Sequence, residues 1–565
     1  MPIPPAIQGY SSLTQQVRLC LESNQPTPGE QLLLPQTAGA ATMSLITQPG
    51  TLSPTTGMAL HFFVIGNVTA GTITIAGTAP VTGSAVNSIT YHIPAAPQQN
   101  RGFTEFTTKE VFATVNASGI VLTTLTPCQV IIFGSCAGKY LLPISIDPEE
   151  KISLHAPQDK RGILFKNMRV VQLTTGADIA KLDSDLYPDS LWAYYMAIGN
   201  TPTITTVPAS PTVLLASTAI AATLTLTSAP AAPGEFLIFN ITGNTALGTI
   251  VVGGTDQYGN PYAGSETINF TSAATQTVYS ARRYSVVNTS SLGAGKFTTT
   301  GGTGASIAVT GVYAWTYTWI YDGVTNVTPS SAALEVFNGV MGVKLPGTIL
   351  TDLTLDWQKE KEILLAAKGI AQDYLVVGDN APTTPAAYLS GVNPFATLAQ
   401  PTALPYVSWP ATFYIDAGLG GVPFTTQDGS LLTYKLAIMT GRKWVFAGDG
   451  MQRPAFVTWE SEPDFTLDAE IVFANYANYV SYFDQAIPLI LASTFQGNLL
   501  GSIASTTYFE QVQITLPVKI DTWKIDQTKN PVAGTLKLMA QYDQQNLGYG
   551  YKVAVTAQVP PTYTA

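Results

Sequence analysis

Alternating apolar and polar positions near the C-terminal end of the chain predict strands with one buried and one wetted face. Around Pro517 the apolar residues share one face, while Gln511 and Gln513 lie on the other. Pro517 cannot donate to a ladder, so we expect this strand to be an edge or to break there. Segments 536–542 and 553–559 alternate in the same way. The apolar positions of these strands are Val512, Ile514, Leu516, Val518, Ile520, Leu536, Leu538, Val553 and Val555.

Apolar residues three and four positions apart predict two amphipathic helices. One lies at 188–199, where Pro188 suits a first turn and Gly199 a stop. The other lies at 475–486. Each follows a predicted strand, which is consistent with a duplicated strand–helix unit. The helix positions that we expect to pack are Leu191, Tyr195 and Ile198 in the first helix and Tyr476, Tyr479, Val480 and Phe483 in the second.

A repeated octapeptide marks two further β-rich segments. Gly71–Thr78 has the sequence GTITIAGT, and Gly248–Thr255 has the sequence GTIVVGGT. Each copy lies in a stretch that is almost free of charge and rich in Thr, Ala, Gly and Val, at 46–140 and 206–312. Turns between alternating strands predict a β-sandwich module in each stretch.

The composition favours a protein whose surface is covered by other protein. Hydrophobic residues make up 46% of the 565 residues and charged residues only 11%, well below the roughly 25% of average soluble domains. Lysine-rich faces that keep monomers apart are therefore scarce, which indicates a large subunit interface. A low-charge secreted β protein is the alternative.

The net charge of −10 argues against a protein that grips nucleic acid, because affinity for DNA comes mainly from Lys and Arg at phosphates. It is compatible with a surface that DNA passes without sticking, since like charges repel. We therefore expect acidic and amide side chains to outnumber Lys and Arg on any channel wall.

The start of the chain and its cysteines predict a cytoplasmic origin. We see no secretory signal and no apolar run of membrane-spanning length. Cys20, Cys128 and Cys136 are too few for a disulfide framework. We expect buried free thiols, with a Cys128–Cys136 pair as the alternative.

Side chains that could carry chemistry are few and scattered. His61, His92 and His155 have no Cys or His at metal spacing. The acidic cluster at 147–150 could hold a cation, but we expect a solvated loop. These residues predict no metal site.

Two further segments have a structural explanation. Asp352 and Asp356 precede a run in which Lys and Glu alternate, which predicts an exposed, salt-bridged face. Gly441–Gly450 lacks the strand–GxxxxGK[ST]–helix context of a nucleotide loop and predicts a hairpin. We expect no catalytic, cofactor-binding or metal-binding residues, and no enzyme. A glycan hydrolase on a β scaffold is disfavoured by the scarcity of Asp and Glu.

The order of strands at the C-terminal end resembles the tail tube proteins of long-tailed bacteriophages. The matching segments have the sequences ITLP, GTLKLMAQYD and GYKVAVTAQV. Leu334–Asp356 and Thr433–Trp444 are similar to earlier strands of the same domain, and LCLESNQPTPGEQLLLP is similar to the opening of the family. The resemblance covers 1–45, 141–200 and 313–565.

The resemblance implies a mainly β fold: a tail-tube-type β-sandwich or barrel with flanking amphipathic helices, possibly duplicated. The two low-charge modules resemble the immunoglobulin-like β-sandwiches that are inserted in phage structural proteins. The implied domains are a first tube-like part at 1–45 and 141–205, immunoglobulin-like modules at 46–140 and 206–312, and a second, main tube-like domain at 313–565.

The resemblance implies that the protein is a structural virion protein. Copies of it would assemble into stacked rings, and the rings would form a conduit for genome ejection. The C-terminal strands would carry this assembly, in a ring of three chains with two tube-like halves each or of six chains with one. The expected partners are copies of the chain, other tail proteins, and the tape-measure protein and genomic DNA in the lumen, with no membrane and no cofactor. The protein would be made in the host bacterial cytoplasm and reside in the virion tail. The alternative is a distal-tail, adhesin or head-decoration protein that binds a host surface glycan or receptor.

Overall fold

β-strands make up nearly all of the regular structure, as the alternating sequence predicts. The structure, a computed structural model, describes residues 16–22, 25, 28–52, 57–66, 69–80, 85–93, 103–125, 127–138, 140–142, 144–150, 153–155, 171–174, 176–199, 201–289, 293–302, 304–321, 329–339, 341–358, 361–377, 395, 405–406, 411–417, 431–445, 454–461, 463–472, 483–484, 488–503, 505–526, 528, 533–543 and 547–561. Within these ranges, neither of the two helices has the length and apolar character of a membrane span.

The elements are numbered in chain order. Up to residue 185 they are the helix α1 (Pro49–Leu52) and the strands β1 (Gln16–Leu21), β2 (Gln31–Ala38), β3 (Thr42–Met43), β4 (Met58–Ile65), β5 (Gly71–Thr78), β6 (Ala85–Ile93), β7 (Phe103–Phe112), β8 (Thr114–Thr123), β9 (Gln129–Cys136), β10 (Tyr140–Leu142), β11 (Ser145–Glu150), β12 (Ser153–His155), β13 (Val171–Thr174) and β14 (Ala177–Asp185).

The middle of the chain holds the second helix and short strands. They are α2 (Leu191–Ala197), β15 (Thr203–Val207), β16 (Thr212–Ala219), β17 (Thr223–Thr225), β18 (Glu235–Thr242), β19 (Gly248–Val252), β20 (Gly254–Thr255), β21 (Glu266–Phe270), β22 (Thr275–Tyr284), β23 (Val286–Thr289), β24 (Gly293–Ala294), β25 (Lys296–Gly301), β26 (Ser306–Val312) and β27 (Ala314–Tyr321).

The C-terminal part contains the longest strands. They are β28 (Ala332–Phe337), β29 (Gly342–Gln358), β30 (Leu364–Ala371), β31 (Leu375–Val377), β32 (Thr412–Ala417), β33 (Leu431–Met439), β34 (Arg442–Val445), β35 (Phe456–Trp459), β36 (Asp464–Val472), β37 (Leu489–Ile503), β38 (Thr506–Asp526), β39 (Ala533–Ala540) and β40 (Tyr551–Ala557).

The first low-charge stretch forms a two-sheet sandwich together with β2 and β3, which precede the predicted start at residue 46. One sheet has the order β2–β9–β4–β7 and the other the order β3–β8–β5–β6. A separate apolar core lies between them and includes Phe62, Ile75 and Ile120. The octapeptide Gly71–Thr78 is strand β5 of this sandwich, with Ile73 and Ile75 pointing inward.

The second low-charge stretch repeats the same strand order. Its sheets are β16–β26–β18–β22 and β17–β25–β19–β21, so its eight strands correspond one to one with those of the first sandwich. Its core includes Leu237, Ile250 and Phe297. The repeated octapeptide therefore marks the fourth strand of both sandwiches, β5 and β19.

The strand order corrects the predicted immunoglobulin-like architecture. In an immunoglobulin sandwich the last strand lies beside the sixth. In both modules here the last strand, β9 or β26, lies between the first and third strands of the module, all in one sheet. This is the order of a jelly roll. We call the two modules jelly roll 1 and jelly roll 2.

Two further sheets pack on a shared core in the rest of the chain. The eight-stranded sheet has the order β11–β14–β30–β29–β33–β36–β39–β38, and the six-stranded sheet has the order β32–β37–β38–β40–β27–β15. The segments 1–45, 141–205 and 313–565 all contribute to this one core, which also takes in Phe236 and Ile238 of jelly roll 2. The proposed domain bounds stay predictions.

Strand β38 belongs to both of these sheets and changes its neighbour at Pro517. Residues 511–515 pair with β40, whereas 518–526 pair with β39. On its other side, 506–518 pair with β37. The expected edge or break at Pro517 is wrong: β38 runs through this residue, which pairs with Ile490 of β37, and only the neighbour on the other side changes there.

The cysteines form a pair that the sequence did not predict. Cys20 of β1 and Cys136 of β9 form a disulfide, with Cα atoms 6.1 Å apart, and Cys128 is a buried free thiol. The expectation of three free thiols, or of a Cys128–Cys136 pair, is wrong. Both bonded cysteines pack on Ala333 of β28, so the disulfide ties jelly roll 1 to the strands beside it.

Candidate assembly surface

One face of the eight-stranded sheet packs on the core, and the other, which we call the open face, is not covered by it. Along β29, Leu353, Leu355 and Trp357 are buried, whereas Thr354 and Asp356 between them are half-buried on the open face. The same alternation runs through β33, β36 and β39. It follows from the sequence, because successive side chains of a strand lie on opposite faces of a sheet.

Charges alternate in sign across the open face. Asp356 lies opposite Lys435, Lys435 opposite Asp468, and Asp468 opposite Lys537. Opposed Cβ atoms in an antiparallel pair are about 5 Å apart, so each carboxylate has a lysine on a neighbouring strand. The adjacent row is small and uncharged and consists of Ala366, Thr354, Ala437 and Thr466. In this row of the open face the charges therefore compensate one another, and the row beside it has low relief.

The eight-stranded sheet ends in two edges on which the described residues show no further strand. At one end, β11 pairs with β14 alone. At the other end, residues 519–526 of β38 pair with β39 alone. An unpaired row of N–H and C=O groups is a template for pairing with another chain. We call these two segments the β11 edge and the β38 edge.

The two edges differ in charge: the β11 edge carries carboxylates, whereas the β38 edge carries two lysines with the exposed carboxylate of Asp521 between them. Asp147 and Glu149 project onto the open face from the β11 edge, and both are exposed. Lys519 and Lys524 project there from the β38 edge. Glu149 also lies directly opposite Asp178 of β14, and like charges in that position are destabilising.

The predicted assembly strands are core strands of the single chain. Strand β39 is bonded to β36 and β38, and β40 to β27 and β38. Their hydrogen bonds are made within the chain, so the only free edge in this group is that of β38 after Pro517. The nine predicted side chains are all buried: Val512, Ile514, Leu516, Val518, Ile520, Leu536, Leu538, Val553 and Val555.

The first predicted helix exists, but it is not amphipathic. Every residue of α2 is buried, including Leu191 and Tyr195, and Ile198 just beyond it is buried too. Trp319 of β27 covers one side, with its ring centroid 5.3 Å from that of Tyr195. The sequence of α2, LWAYYMA, carries no charged side chain on any face, which is typical of a fully buried helix.

The second predicted helix is only partly described. Phe483 is helical and its ring lies 6.5 Å from that of Trp523, at the β38 edge. Tyr476, Tyr479 and Val480 lie outside the described residues.

Sequence reasoning missed the β11 edge. It assigned the acidic cluster at 147–150 to a solvated loop, whereas these residues lie in the strand β11. The signal was present as alternation, because Ile146 is buried while Asp147 and Glu149 are exposed. Pro148 and the adjacent charges concealed it, since both are rare within strands.

A second polar cluster lies buried where jelly roll 1 meets β1, β28 and β29. Arg18 and Lys344 each contact the carboxylate of Glu335, at 3.1 and 3.2 Å. The Lys344 ammonium also donates to the carbonyl of Ser135 at 3.2 Å. Burial lowers the pKa of Lys344, and the Glu335 carboxylate opposes this shift. Burial also lowers the pKa of the nearby Arg442 to about 10.

His61 is the only histidine in this junction among the described residues. Its Nδ1 lies 2.9 Å from one oxygen of Glu30 and 3.1 Å from the other. Burial alone lowers the pKa of His61, but the Glu30 carboxylate, with the more distant Glu105 and Asp373, raises it above its ordinary value. No three metal-binding side chains converge here or elsewhere in the described ranges.

Comparisons with known proteins identify no family. No family model matches the chain, and no curated protein does. Among solved structures, the PBSX exported protein XepA aligns over 60% of this chain and 86% of its own, with 8% identity and a TM-score of 0.13. The Gx strain of infectious bursal disease virus aligns over 66% and 74%, with 9% identity and a TM-score of 0.08. Similarity at these scores carries no argument about fold or function.

Proposed function

We propose that this chain is a structural virion protein that continues its eight-stranded sheet into copies of itself, and that the assembly is the tail tube of a long-tailed bacteriophage. The protein is not an enzyme in this proposal. Stacked rings enclose a conduit for genome ejection, and DNA and the tape-measure protein pass the open face without specific binding. The observation that carries the proposal is the pair of free edges on one sheet, one with carboxylates and the other with two lysines.

The strand directions suit closure into a ring. All seven pairings within the eight-stranded sheet are antiparallel, so the two edge strands run in opposite directions. In a ring whose axis runs roughly parallel to the strands, rotation from one copy to the next keeps the direction of each strand. The β11 edge of one copy therefore meets the β38 edge of its neighbour in antiparallel orientation. Such a head-to-tail contact generates rings when the rotation closes.

Strand number favours three copies in each ring. Three sheets would contribute about 24 strands, and with about 4.8 Å between strands and a tilt of about 40° the barrel would be roughly 50 Å across at the backbone. Six copies would double this width. We propose the ring of three chains, in which the one continuous eight-stranded sheet of each chain takes the place of the two tube-like halves.

The edges contain features that limit pairing with other chains. Pro148 supplies no N–H, and register shifts interrupt β11 after Asp147 and β38 after Ile520. Prolines, bulges and charges weaken edge-to-edge association between unmatched strands. Complementary charges on the two edges then select a second copy of this chain over other strands.

Charge reversal tests the proposed edge pairing. In Lys519→Glu/Lys524→Glu both edges are acidic, and repulsion should abolish assembly, which sedimentation velocity and light scattering measure. Adding Asp147→Lys and Glu149→Lys to the same chain restores opposite charges and should restore assembly. Reversal of two exposed lysines outside the sheet, Lys109→Glu/Lys443→Glu, is the matched control. Assembly of the first variant at the wild-type level would refute the edge pairing.

A second candidate is a surface component of the virion: a distal-tail, adhesin or head-decoration protein. The two jelly rolls favour it, because this architecture occurs in viral capsid and lectin domains. Binding of the purified, non-polymerising protein to host cells would support this candidate. Hollow tubes formed by the purified protein would support the tail tube.

A further inference from the structure

A cleft lined by aromatic rings lies beside the open face, where the two large sheets meet. Its volume is about 400 Å³, and its walls include Tyr321, Tyr542, Tyr551 and Phe465. The rings of Tyr321 and Tyr542 stand at 76° to each other with centroids 6.5 Å apart, and Tyr321 and Tyr551 stack at 5.5 Å. The four rings therefore pack on one another along one side of the cleft, and Tyr542 is the most exposed of them.

The sheets hold these rings in place. Tyr321 ends β27 and lies directly opposite Tyr551, the first residue of β40. Phe465 of β36 packs under Tyr551, with centroids 4.4 Å apart, and both are buried. Beside the cleft, the Gly550 N–H donates to the carbonyl of Tyr321 and the Gly548 N–H to the carbonyl of Asp543. Tyr542 is the exposed wall, at 43%.

The charge around the cleft is negative. The carboxylate of Asp464 lines it, together with the amide of Gln541, and none of its described lining residues is Lys, Arg or His. Met439 of β33 lies opposite Asp352 of β29 on one side and opposite Asp464 of β36 on the other. Asp352 is therefore a second carboxylate on the open face, two strands away from Asp464. A cation that enters the cleft meets a carboxylate and the negative faces of the rings.

We propose that this cleft binds a quaternary ammonium headgroup, such as that of choline. Aromatic rings recognise such cations because the electron-rich ring faces attract a diffuse positive charge that no hydrogen bond can satisfy. The cleft volume is near the lower limit of ligand pockets, which suits a headgroup rather than a long chain. The site is independent of the proposed edge pairing, because it lies at neither edge.

Calorimetric titration of the full chain with choline tests the site. The neutral isostere 3,3-dimethyl-1-butanol has the same shape without the charge. We expect choline to bind roughly tenfold more tightly than the isostere, the ratio that a partly desolvated cation–π contact supplies. Equal affinity for the two compounds, or no heat from choline at millimolar concentrations, would overturn the proposal.

Variants locate the binding and exclude unfolding as the cause. Tyr542→Ala should weaken choline binding roughly tenfold, while Tyr542→Phe, which keeps the ring, should retain most of it. Asp464→Asn should weaken binding without affecting the isostere. Tyr258→Ala, which removes an exposed tyrosine of jelly roll 2 far from the cleft, is the control. Unchanged affinity in Tyr542→Ala, or a preference for neutral sugars over choline, would contradict the assignment.

Discussion

His61 is a side chain whose charge is determined by its burial and its neighbours. It is 1% exposed, its Nδ1 contacts the Glu30 carboxylate, and its Nε2 has no hydrogen-bond partner in the described structure. Buried carboxylates are stable only when a cation or hydrogen bonds compensate them. Protonated His61 supplies such a cation where jelly roll 1 meets the rest of the chain.

The raised pKa of His61 predicts a specific dependence of stability on pH. The imidazolium stabilises the folded state fully below the unfolded pKa of about 6.5, and this contribution is lost as the pH rises through the higher folded pKa. His61→Gln should therefore lower the free energy of unfolding by about 3 kcal/mol near pH 6, since it removes the cation that contacts the buried Glu30 carboxylate. The difference from wild type should shrink at alkaline pH.

Guanidinium unfolding of both proteins from pH 6 to 9 measures this difference. His92→Gln is the matched control, because His92 is exposed on β6. A stability difference for His61→Gln that does not vary with pH would show that His61 acts through packing alone.

At the scale of elements, the sequence predicts where strands lie but not which strands pair. Period-2 alternation located the strands around Pro517 and the inward side chains of β39 and β40, because it depends on neighbouring residues only. Pairing depends on distant residues: Cys20 of β1 lies opposite Ala333 of β28. Because pairing depends on distant residues, the sequence did not distinguish jelly rolls from immunoglobulin-like sandwiches. For the same reason it did not identify the acidic strand β11 as a sheet edge.

Jelly roll 2 should fold as an isolated fragment. Its core between Leu214 and Val309 is drawn from its own strands, and both of its sheets pair only within the module. Residues 208–312 alone should therefore unfold cooperatively in guanidinium and give a dispersed amide spectrum by NMR. A disordered fragment would show that its contacts with the main core, such as Phe236 with Trp315 at 5.1 Å, are required.

Jelly roll 1 provides the comparison for this experiment. Its β2–β9–β4–β7 sheet covers the buried charges of the junction, and the Cys20–Cys136 disulfide joins it to β1. Residues 31–136 alone would expose Phe133 and His61, which are buried in the full chain. We expect this fragment to be markedly less stable than residues 208–312.

At the scale of the whole molecule, the chain combines two jelly rolls with a large sheet whose open face carries more acid than base. The carboxylates on that face are Asp147, Glu149, Asp178, Asp183, Asp185, Asp352, Asp356, Asp464, Asp468 and Glu470, and the lysines are Lys181, Lys368, Lys435, Lys519, Lys524 and Lys537. An acidic wall repels DNA and lets it slide, as a conduit requires.

Electron microscopy of the concentrated, negatively stained protein tests the central claim most directly. The claim is that each copy completes its eight-stranded sheet with the edge of the next copy. We predict rings of three chains that stack into hollow tubes. Separate single chains at high protein concentration, with the β11 and β38 edges unpaired, would contradict it.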